Sequence, residues 1–151
     1  MKVRAATAAD HATLVRFNAA LASESEGLVL NPATLAQGVA QVLADPARGH
    51  YFLAMGDLGD APLGALLVTQ EWSDWRNAYW LWIQSVYVEP TARRRGVYRA
   101  LHAHVVEQAA QLGAAGVRLY VEPNNSSAQA TYRALGMSKT YDVMEQARHM
   151  P

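Results

Sequence analysis

The sequence predicts a single α/β domain over residues 1–151, with a mixed, mostly antiparallel sheet and helices on its faces. A chain of 151 residues with 51% hydrophobic content is large enough to bury one core. Its hydrophobic periodicity indicates the order β, α, α, β, β, β, α, β, α, β. Three strands joined by short turns pair antiparallel, whereas the strand, helix and strand around residues 83–121 require a right-handed parallel crossover.

The first third of the chain is mainly helical. "MKVRAAT" is typical of a short first strand, and Thr7 is placed to cap a helix through "AADHATLVRFNAALASE". "NPATLAQGVAQVLAD" predicts a second helix, because Pro32 lies in its first turn and Pro46 follows its end. Two helices therefore precede most of the strands.

Three strands are predicted in the middle of the chain. "HYFLAM" and "PLGALLVTQEW" are joined by "GDLGDA", whose glycines and aspartates favour a hairpin connection. "AYWLWIQSVYVEP" is the strongest strand pattern, since it is rich in aromatic and branched residues and is stopped by Pro90.

The last third alternates helix and strand. A helix is predicted from about Gly96 to Leu112 and ends at Gly113. The strand "VRLYVE", a helix over "SSAQATYRAL" that ends at Gly136, and a final strand "SKTYDVMEQ" follow.

Composition excludes several classes of protein. Lys and Arg number 13, as do Asp and Glu, so the balance differs from that of a strongly basic nucleic-acid-binding domain. The absence of cysteine excludes disulfides, thiolate metal sites and a cysteine nucleophile. The start lacks the apolar core of a secretory signal, and no apolar run reaches the roughly 18 to 20 residues that span a bilayer. We expect a cytoplasmic protein that binds neither nucleic acid nor membrane.

The stretch "TARRRGVYRALHAHV" places three arginines and Gly96 directly before a predicted helix. The start of a helix carries unpaired N–H groups and the positive end of the helix dipole, which together bind anions. A solvated basic turn and a nucleic-acid patch are the alternative interpretations. A P-loop is excluded, because neither "GKS" nor "GKT" follows the glycine.

Two ordered motifs resemble those of the GNAT superfamily of N-acetyltransferases. In that family a strand ending in a pattern like "SVYVEP" is followed by a characteristic turn. The turn consists of Gln or Arg, any two residues, Gly, any one residue, and then Gly or Ala. Tyr98 departs from it, since the family has a small residue there. In "LYVEPNNSSAQATYRALGM" the family's second pattern is matched by Asn125, Ala128, Tyr132, Gly136 and Met137.

The resemblance implies that acetyl-CoA is the cosubstrate. The two parallel strands splay apart, and the pantetheine arm binds the exposed strand edge like an added strand. The turn's backbone holds the pyrophosphate, while Asn125 serves as a helix cap, a cofactor ligand or both. Tyr132 is either a buried aromatic residue or the acid that protonates the departing thiolate. The implied cofactor-binding residues are Val86, Val88, Arg93, Arg94, Arg95, Gly96, Val97, Tyr98, Arg99, Asn125 and Tyr132.

The implied reaction is acetyl transfer to a primary amine of a small molecule or peptide, by direct attack in a ternary complex. A serine nucleophile remains open. The amine must first lose a proton, but Gln84 and Ser85 stand where many relatives have an acidic residue. Glu71 is the nearest candidate base, with Glu122 and a water chain as rivals. The alternative function is a non-catalytic acyl-CoA-binding or regulatory domain with the same fold.

The remaining candidates are aromatic residues and histidines. Trp72 and Trp75, with Gln84, are candidates for the acceptor pocket. Strand alternation favours core or dimer-interface positions for Trp80 and Trp82, so the sequence leaves a homodimer open. No metal site is expected: His102 and His104 lie two apart on a helix and face different directions, and His50 is interpreted as structural.

Overall fold

A computed structural model describes residues 1–57 and 61–148 of the chain. The described residues divide between two compact units, one within Met1–Tyr120 and one within Val121–Pro151. The first unit contains strands β1 (Lys2–Ala5), β2 (His50–Met55), β3 (Pro62–Ser73), β4 (Ala78–Val88) and β5 (Gly116–Leu119), and helices α1 (His11–Glu26), α2 (Pro32–Ala44) and α3 (Val97–Gln111). Short 3-10 turns, Ala8–Asp10 and Pro90–Ala92, precede α1 and α3. The second unit contains helix α4 (Ser126–Ala134).

The sheet has the predicted mixed pairing. Its strand order is β1-β2-β3-β4-β5, in which the first four strands pair antiparallel and β5 pairs with β4 in parallel. The β2–β3 hairpin forms as predicted, although residues 58–60 of its connection lie outside the described residues. The mixed α/β fold class is therefore confirmed.

Helices cover both faces of the sheet. On one face, Leu101 and Val105 of α3 pack with Leu66, Leu81 and Ile83 of the sheet. On the other face, the buried residues of α1, α2 and the sheet form a second cluster, which comprises Leu14, Phe17, Val39, Tyr51, Leu53, Ala65 and Tyr87. At about 25 cal/mol per Å² of buried apolar surface, these two clusters are the main stabilising contribution to the fold.

A β-bulge in β4 changes the alternation of its side chains. Leu67 pairs with Ser85 and Val68 pairs with Ile83, so Gln84 is the extra residue. Before the bulge, Leu81 and Ile83 point into the α3 face, which leaves Trp80 and Trp82 half-buried on the opposite face and outside both core clusters. The core positions predicted for these two tryptophans are therefore wrong, because Leu81 and Ile83 occupy the core side of β4. The alternative, a dimer-interface position, stays a prediction.

Two predicted strands differ from the structure. The strand predicted over 117–122 ends at Leu119, since its parallel pairing stops at Ile83, directly before the bulge in β4. The final strand predicted over "SKTYDVMEQ" does not form: residues 138–148 carry no strand, and Tyr141, Val143 and Met144 are exposed. Alternating polar and apolar residues favour a strand only where a partner supplies the ladder of hydrogen bonds. Within residues 1–57 and 61–148, no helix is long and apolar enough to cross a membrane.

Candidate functional site

The arginine turn, residues 93–96, connects β4 to α3 through a backbone that most residues disfavour. Arg94 has φ 61° and Gly96 has φ 79°, both in the left-handed region. Glycine adopts this conformation without steric cost, which explains its place directly before α3. A Cβ atom built on Gly96 meets no protein atom within 4 Å. The approach to this backbone is therefore open.

The backbone of the arginine turn and the first turn of α3 present several unpaired donors. The first hydrogen bond of α3 runs from the Ala100 N–H to the Gly96 carbonyl, at 3.0 Å. In the part of the chain that the structure describes, no acceptor is found for the N–H groups of Arg94, Arg95, Gly96, Val97 and Arg99. Such groups at the positive end of a helix dipole bind anions.

The side chains of the three consecutive arginines differ in their contacts. Arg93 forms an ion pair with Glu24 of α1, and its Nε donates to the Val88 carbonyl at 3.0 Å. The hydrogen bond to Glu24 raises the pKa of Arg93, although desolvation partly opposes this shift. Arg94 and Arg95 are exposed and form no salt bridge with the described residues. Two arginines are therefore available at the turn, and one is engaged inward.

Tyr98 lies along α3 in the direction of His102. Its hydroxyl is 3.1 Å from His102 Nδ1, and the two ring centroids are 5.6 Å apart. Burial lowers the pKa of His102, which favours the neutral imidazole that can accept this hydrogen bond. The tyrosine that departs from the family pattern is thus anchored one helical turn beyond the arginine turn.

The edge of β4 that faces β5 is open at its C-terminal end. Parallel pairing with β5 ends at Ile83 and Leu119, whereas β4 continues to Val88. The Glu89 N–H donates to the Leu63 carbonyl on the β3 side at 2.9 Å. Because backbone groups alternate along a strand, those of Val86 and Val88 point away from β3. Within the first unit this stretch forms the splayed end of the parallel pair.

A polar and aromatic cluster covers the sheet face opposite α3. Glu71 Oε1 accepts from Arg118 Nη1 at 2.9 Å, and its Oε2 accepts from Trp82 Nε1 at 3.2 Å. The Arg118 guanidinium lies 3.8 Å from the ring centroid of Trp80. Tyr120 stacks on Trp82, with ring centroids 4.4 Å apart. Glu71 is therefore fixed on a surface of aromatic rings.

The predicted acceptor-pocket residues are not all on that face. Gln84 Nε2 donates to Thr69 Oγ1 at 2.7 Å. Trp72 packs edge-to-face on Tyr79 at 4.9 Å between centroids, and strand alternation from Val68 places it on the α3 face. Trp75 lies in the β3–β4 turn and is 93% exposed. The structure brings Glu71 close to Trp82 but separates it from Trp72 by the thickness of the sheet.

The second unit contains Asn125 and Tyr132, the two remaining residues predicted to bind the cosubstrate. Asn125 Oδ1 accepts from the Ala128 N–H at 3.0 Å, so this residue caps α4. Tyr132 is half-buried on α4, and burial raises the pKa of its hydroxyl. Glu122, the rival base, is exposed, and its carboxylate accepts from the Asn124 N–H.

The three histidines considered as candidates either pack against aromatic residues or lie at the surface. His102 is buried against Tyr98, and the His104 ring packs on Phe52 at 4.6 Å. His50 is exposed at the start of β2. Across the described ranges, no group of three or more His, Asp or Glu side chains is placed to hold a metal ion.

Sequence reasoning missed Glu24, Arg118 and Tyr120. Glu24 and Arg118 each contact a predicted site residue across a long sequence separation: Glu24 and Arg93 are 69 residues apart, and Glu71 and Arg118 are 47 apart. Tyr120 contacts Trp82. No local pattern signals such a pair, because only the pairing of the strands brings its members together.

The comparisons with known proteins identify the family. The family model described as acetyltransferase (GNAT) family matches residues 20–137. A protein from Clostridium difficile 630, described as a possible acetyltransferase, is 36% identical with a TM-score of 0.90, over 99% of this chain and 98% of that chain. No curated protein matches the sequence. The chain belongs to the GNAT acetyltransferase family.

More distant structures share the fold. An aminoglycoside 6'-N-acetyltransferase from Acinetobacter haemolyticus is 20% identical with a TM-score of 0.78, and the alignment covers 100% of both chains. A transcriptional regulator from Bacillus halodurans C-125 is 19% identical with a TM-score of 0.82, over 97% of this chain and 99% of that chain. At such identities the likeness extends to the fold alone.

Proposed function

We propose that this protein is an acetyl-CoA-dependent N-acetyltransferase, which acetylates a primary amine of a small molecule or peptide by direct attack in a ternary complex. One observation supports this most strongly: the unpaired N–H groups at the start of α3 adjoin the open edge of β4. The first feature suits a pyrophosphate and the second suits an extended amide-bearing arm. Binding of acyl-CoA requires both features.

The residues present fit this cosubstrate. Gly96 lets an anion approach the backbone, since a Cβ there meets no protein atom within 4 Å. Arg94 and Arg95 add positive charge beside it. Val86 and Val88 direct backbone groups to the open side of β4, where they can bond pantetheine amides. When bound, acetyl-CoA supplies the activated acetyl thioester.

Removal of a proton from the acceptor is the first task of the chain's own residues. An amine with a lysine-like pKa of about 10.4 is mostly protonated near neutral pH. Glu71 is our candidate base; its carboxylate is held by Arg118 and Trp82 on the aromatic face. An ammonium group is attracted both to a carboxylate and to an aromatic ring. Glu122 and a water chain remain the rival routes.

Protonation of the departing thiolate is the second task, and we assign it to Tyr132. The assignment rests on the motif from Asn125 to Met137. Because burial raises the pKa of Tyr132, its hydroxyl holds a proton at neutral pH. A positioned acid of this kind typically accelerates a reaction by about 10²–10⁴-fold.

Calorimetry and a turnover screen together test the proposal. We expect purified protein to bind acetyl-CoA and to release CoA in the presence of at least one member of a panel of small-molecule and peptide amines. Tight binding with no turnover across the panel would instead support a non-catalytic acyl-CoA-binding domain. Absence of acetyl-CoA binding would exclude both functions.

Substitution of Tyr132 by phenylalanine tests the catalytic role. Shape and burial are nearly preserved, so the fold and most of the acetyl-CoA affinity should remain, while kcat falls about 100-fold. A free thiol has a pKa of about 8.5, so the deficit should shrink at alkaline pH, where the thiolate leaves unaided. Glu71→Gln and Glu122→Gln, compared under the same conditions, identify which carboxylate, if either, governs the acidic limb of the pH profile.

A further inference from the structure

One ion pair joins α1 to the end of β4 and to the arginine turn. Arg93 Nη2 contacts Glu24 Oε2, and Arg93 Nε donates to the Val88 carbonyl at 3.0 Å. The Tyr87 hydroxyl donates to the other oxygen of Glu24 at 3.4 Å. The Arg93 guanidinium lies 5.8 Å from the Tyr87 ring centroid. We call Glu24, Tyr87, Val88 and Arg93 the clamp.

The clamp directs Arg93 away from the role that its motif position suggests. A guanidinium presents its donors in a rigid planar fork. Two directions of that fork are used by Glu24 and by the Val88 carbonyl. Arg94 and Arg95, by contrast, form no ion pair among the described residues. The neighbouring arginines therefore have different chemical environments, although the sequence presents them as one run.

We propose that Glu24 and Arg93 are positioning residues of the acetyl-CoA site. Arg93 fixes the carbonyl of Val88, on the open edge of β4, and at the same time fixes the first residue of the arginine turn. Glu24 holds the guanidinium in the orientation that does both. This inference rests on the proposed function, because the edge and the turn matter only if they bind the cosubstrate.

A mutant cycle separates this role from direct phosphate binding. If the clamp positions the site, Glu24→Ala and Arg93→Ala should each weaken acetyl-CoA binding about fivefold. The double variant should bind acetyl-CoA almost as well as either single variant, as expected for coupled residues. Glu24→Gln, which keeps an acceptor oxygen, should recover part of the loss. If Arg93 instead binds phosphate, Glu24→Ala releases it, and affinity should stay equal or rise.

The salt dependence of binding adds a second readout. Charges that contact the phosphates directly lose part of their effect as salt screens them. Arg94→Gln should therefore flatten the dependence of affinity on ionic strength, whereas Glu24→Ala should leave its slope unchanged. A flattened slope in Arg93→Ala would overturn the positioning role.

A matched control comes from another ion pair between the same elements. Arg16 of α1 forms an ion pair with Glu89, directly after β4, at 2.7 Å, and among the described residues no hydrogen bond or ion pair joins it to Val88 or to the arginine turn. Arg16→Ala should leave acetyl-CoA affinity within about twofold. A loss equal to that of Glu24→Ala would mean that any loosening of α1 weakens binding, and it would reject the clamp.

Thermal unfolding of every variant verifies that it is folded during the titration. Failure of the unmodified protein to bind acetyl-CoA would reject the proposed function, whereas binding without coupling would reject the clamp alone.

Discussion

Two strand-to-helix connections in this protein have the same form and opposite electrostatics. The chain passes from β1 to α1 through the 3-10 turn Ala8–Asp10, and from β4 to α3 through the 3-10 turn Pro90–Ala92. In the first connection the Asp10 carboxylate accepts two bonds from Arg4, both at 2.8 Å, and one from the Thr7 N–H at 2.7 Å. Asp10 is 8% exposed. The second connection contains no acidic residue from Pro90 to Arg99.

Under the proposed function, one local structure serves stability in the first connection and binding in the second. A helix start exposes N–H donors that need acceptors. In the first connection, a carboxylate of the chain itself lies at the helix start and neutralises the arginine beside it. In the second, the donors and two arginines are left for an anion from outside the chain.

Reversal of charge at the second connection should have the largest effect. Arg94→Glu combined with Arg95→Glu brings negative charge to the helix start, as Asp10 does in the first connection. Each reversal opposes both the phosphate charge and the helix dipole, so we expect acetyl-CoA to bind about 100-fold more weakly, or about 2.7 kcal/mol. Calorimetry at constant ionic strength measures this.

The matched control has the same change in net charge. Arg48→Glu with Lys139→Glu alters exposed cations elsewhere, each of which contacts an aspartate. It should leave affinity within about twofold. A comparable loss in this control would indicate a general charge effect and would remove the special role of the arginine turn.

Removal of the carboxylate from the first connection should affect stability and not binding. The hydrogen bond from Arg4 lowers the pKa of Asp10 to about 2. Asp10→Asn should lower the free energy of unfolding by about 1–3 kcal/mol at pH 7, because the charged carboxylate is stabilised only in the folded state. Urea unfolding measures this, and acetyl-CoA affinity should remain unchanged.

The pH dependence of that loss has a defined sign. Since the folded pKa lies below the ordinary value of 3.8, the contribution of Asp10 is complete above that value and is lost as pH falls toward about 2. The difference between Asp10→Asn and the unmodified protein should therefore shrink below about pH 4. A constant difference across this range would mean that the asparagine disturbs packing rather than charge.

Obstruction of the open backbone should weaken binding to a smaller extent. Gly96→Val places a branched side chain where the proposed function has the pyrophosphate approach, so we expect at least a tenfold loss of acetyl-CoA affinity, or about 1.4 kcal/mol. Valine at φ 79° is also strained. Gly113→Val is the control for strain, because Gly113 has φ 64° and open space at the other end of α3. If both variants lose affinity equally, strain alone explains the result.

The two connections also show what a sequence can predict. The two ends of α3 were predictable from local signals, because Pro90 and Gly96 precede its start and Gly113 follows its end. The strands β2, β3 and β4 followed from composition and alternation. The contact between the Arg93 side chain and α1 was not predictable, since its partner Glu24 is 69 residues away in the sequence. The bulge at Gln84 likewise has no local signature, and it decides both where β5 ends and which face Trp82 occupies.

The smallest expected effect concerns Tyr98, the departure from the family pattern at the second connection. Its hydroxyl contacts His102 Nδ1 at 3.1 Å, so the ring follows α3 and does not cover the arginine turn. Tyr98→Ala should therefore change acetyl-CoA affinity by less than about threefold. It should lower the free energy of unfolding by about 1 kcal/mol, because buried His102 loses a hydrogen-bond partner.

Tyr98→Phe removes the same hydrogen bond but keeps the ring, so the two variants should match in affinity and differ only in stability. A gain of tenfold or more in Tyr98→Ala, absent from Tyr98→Phe, would show that the ring obstructs the phosphate approach and that the second connection is less open than its backbone suggests.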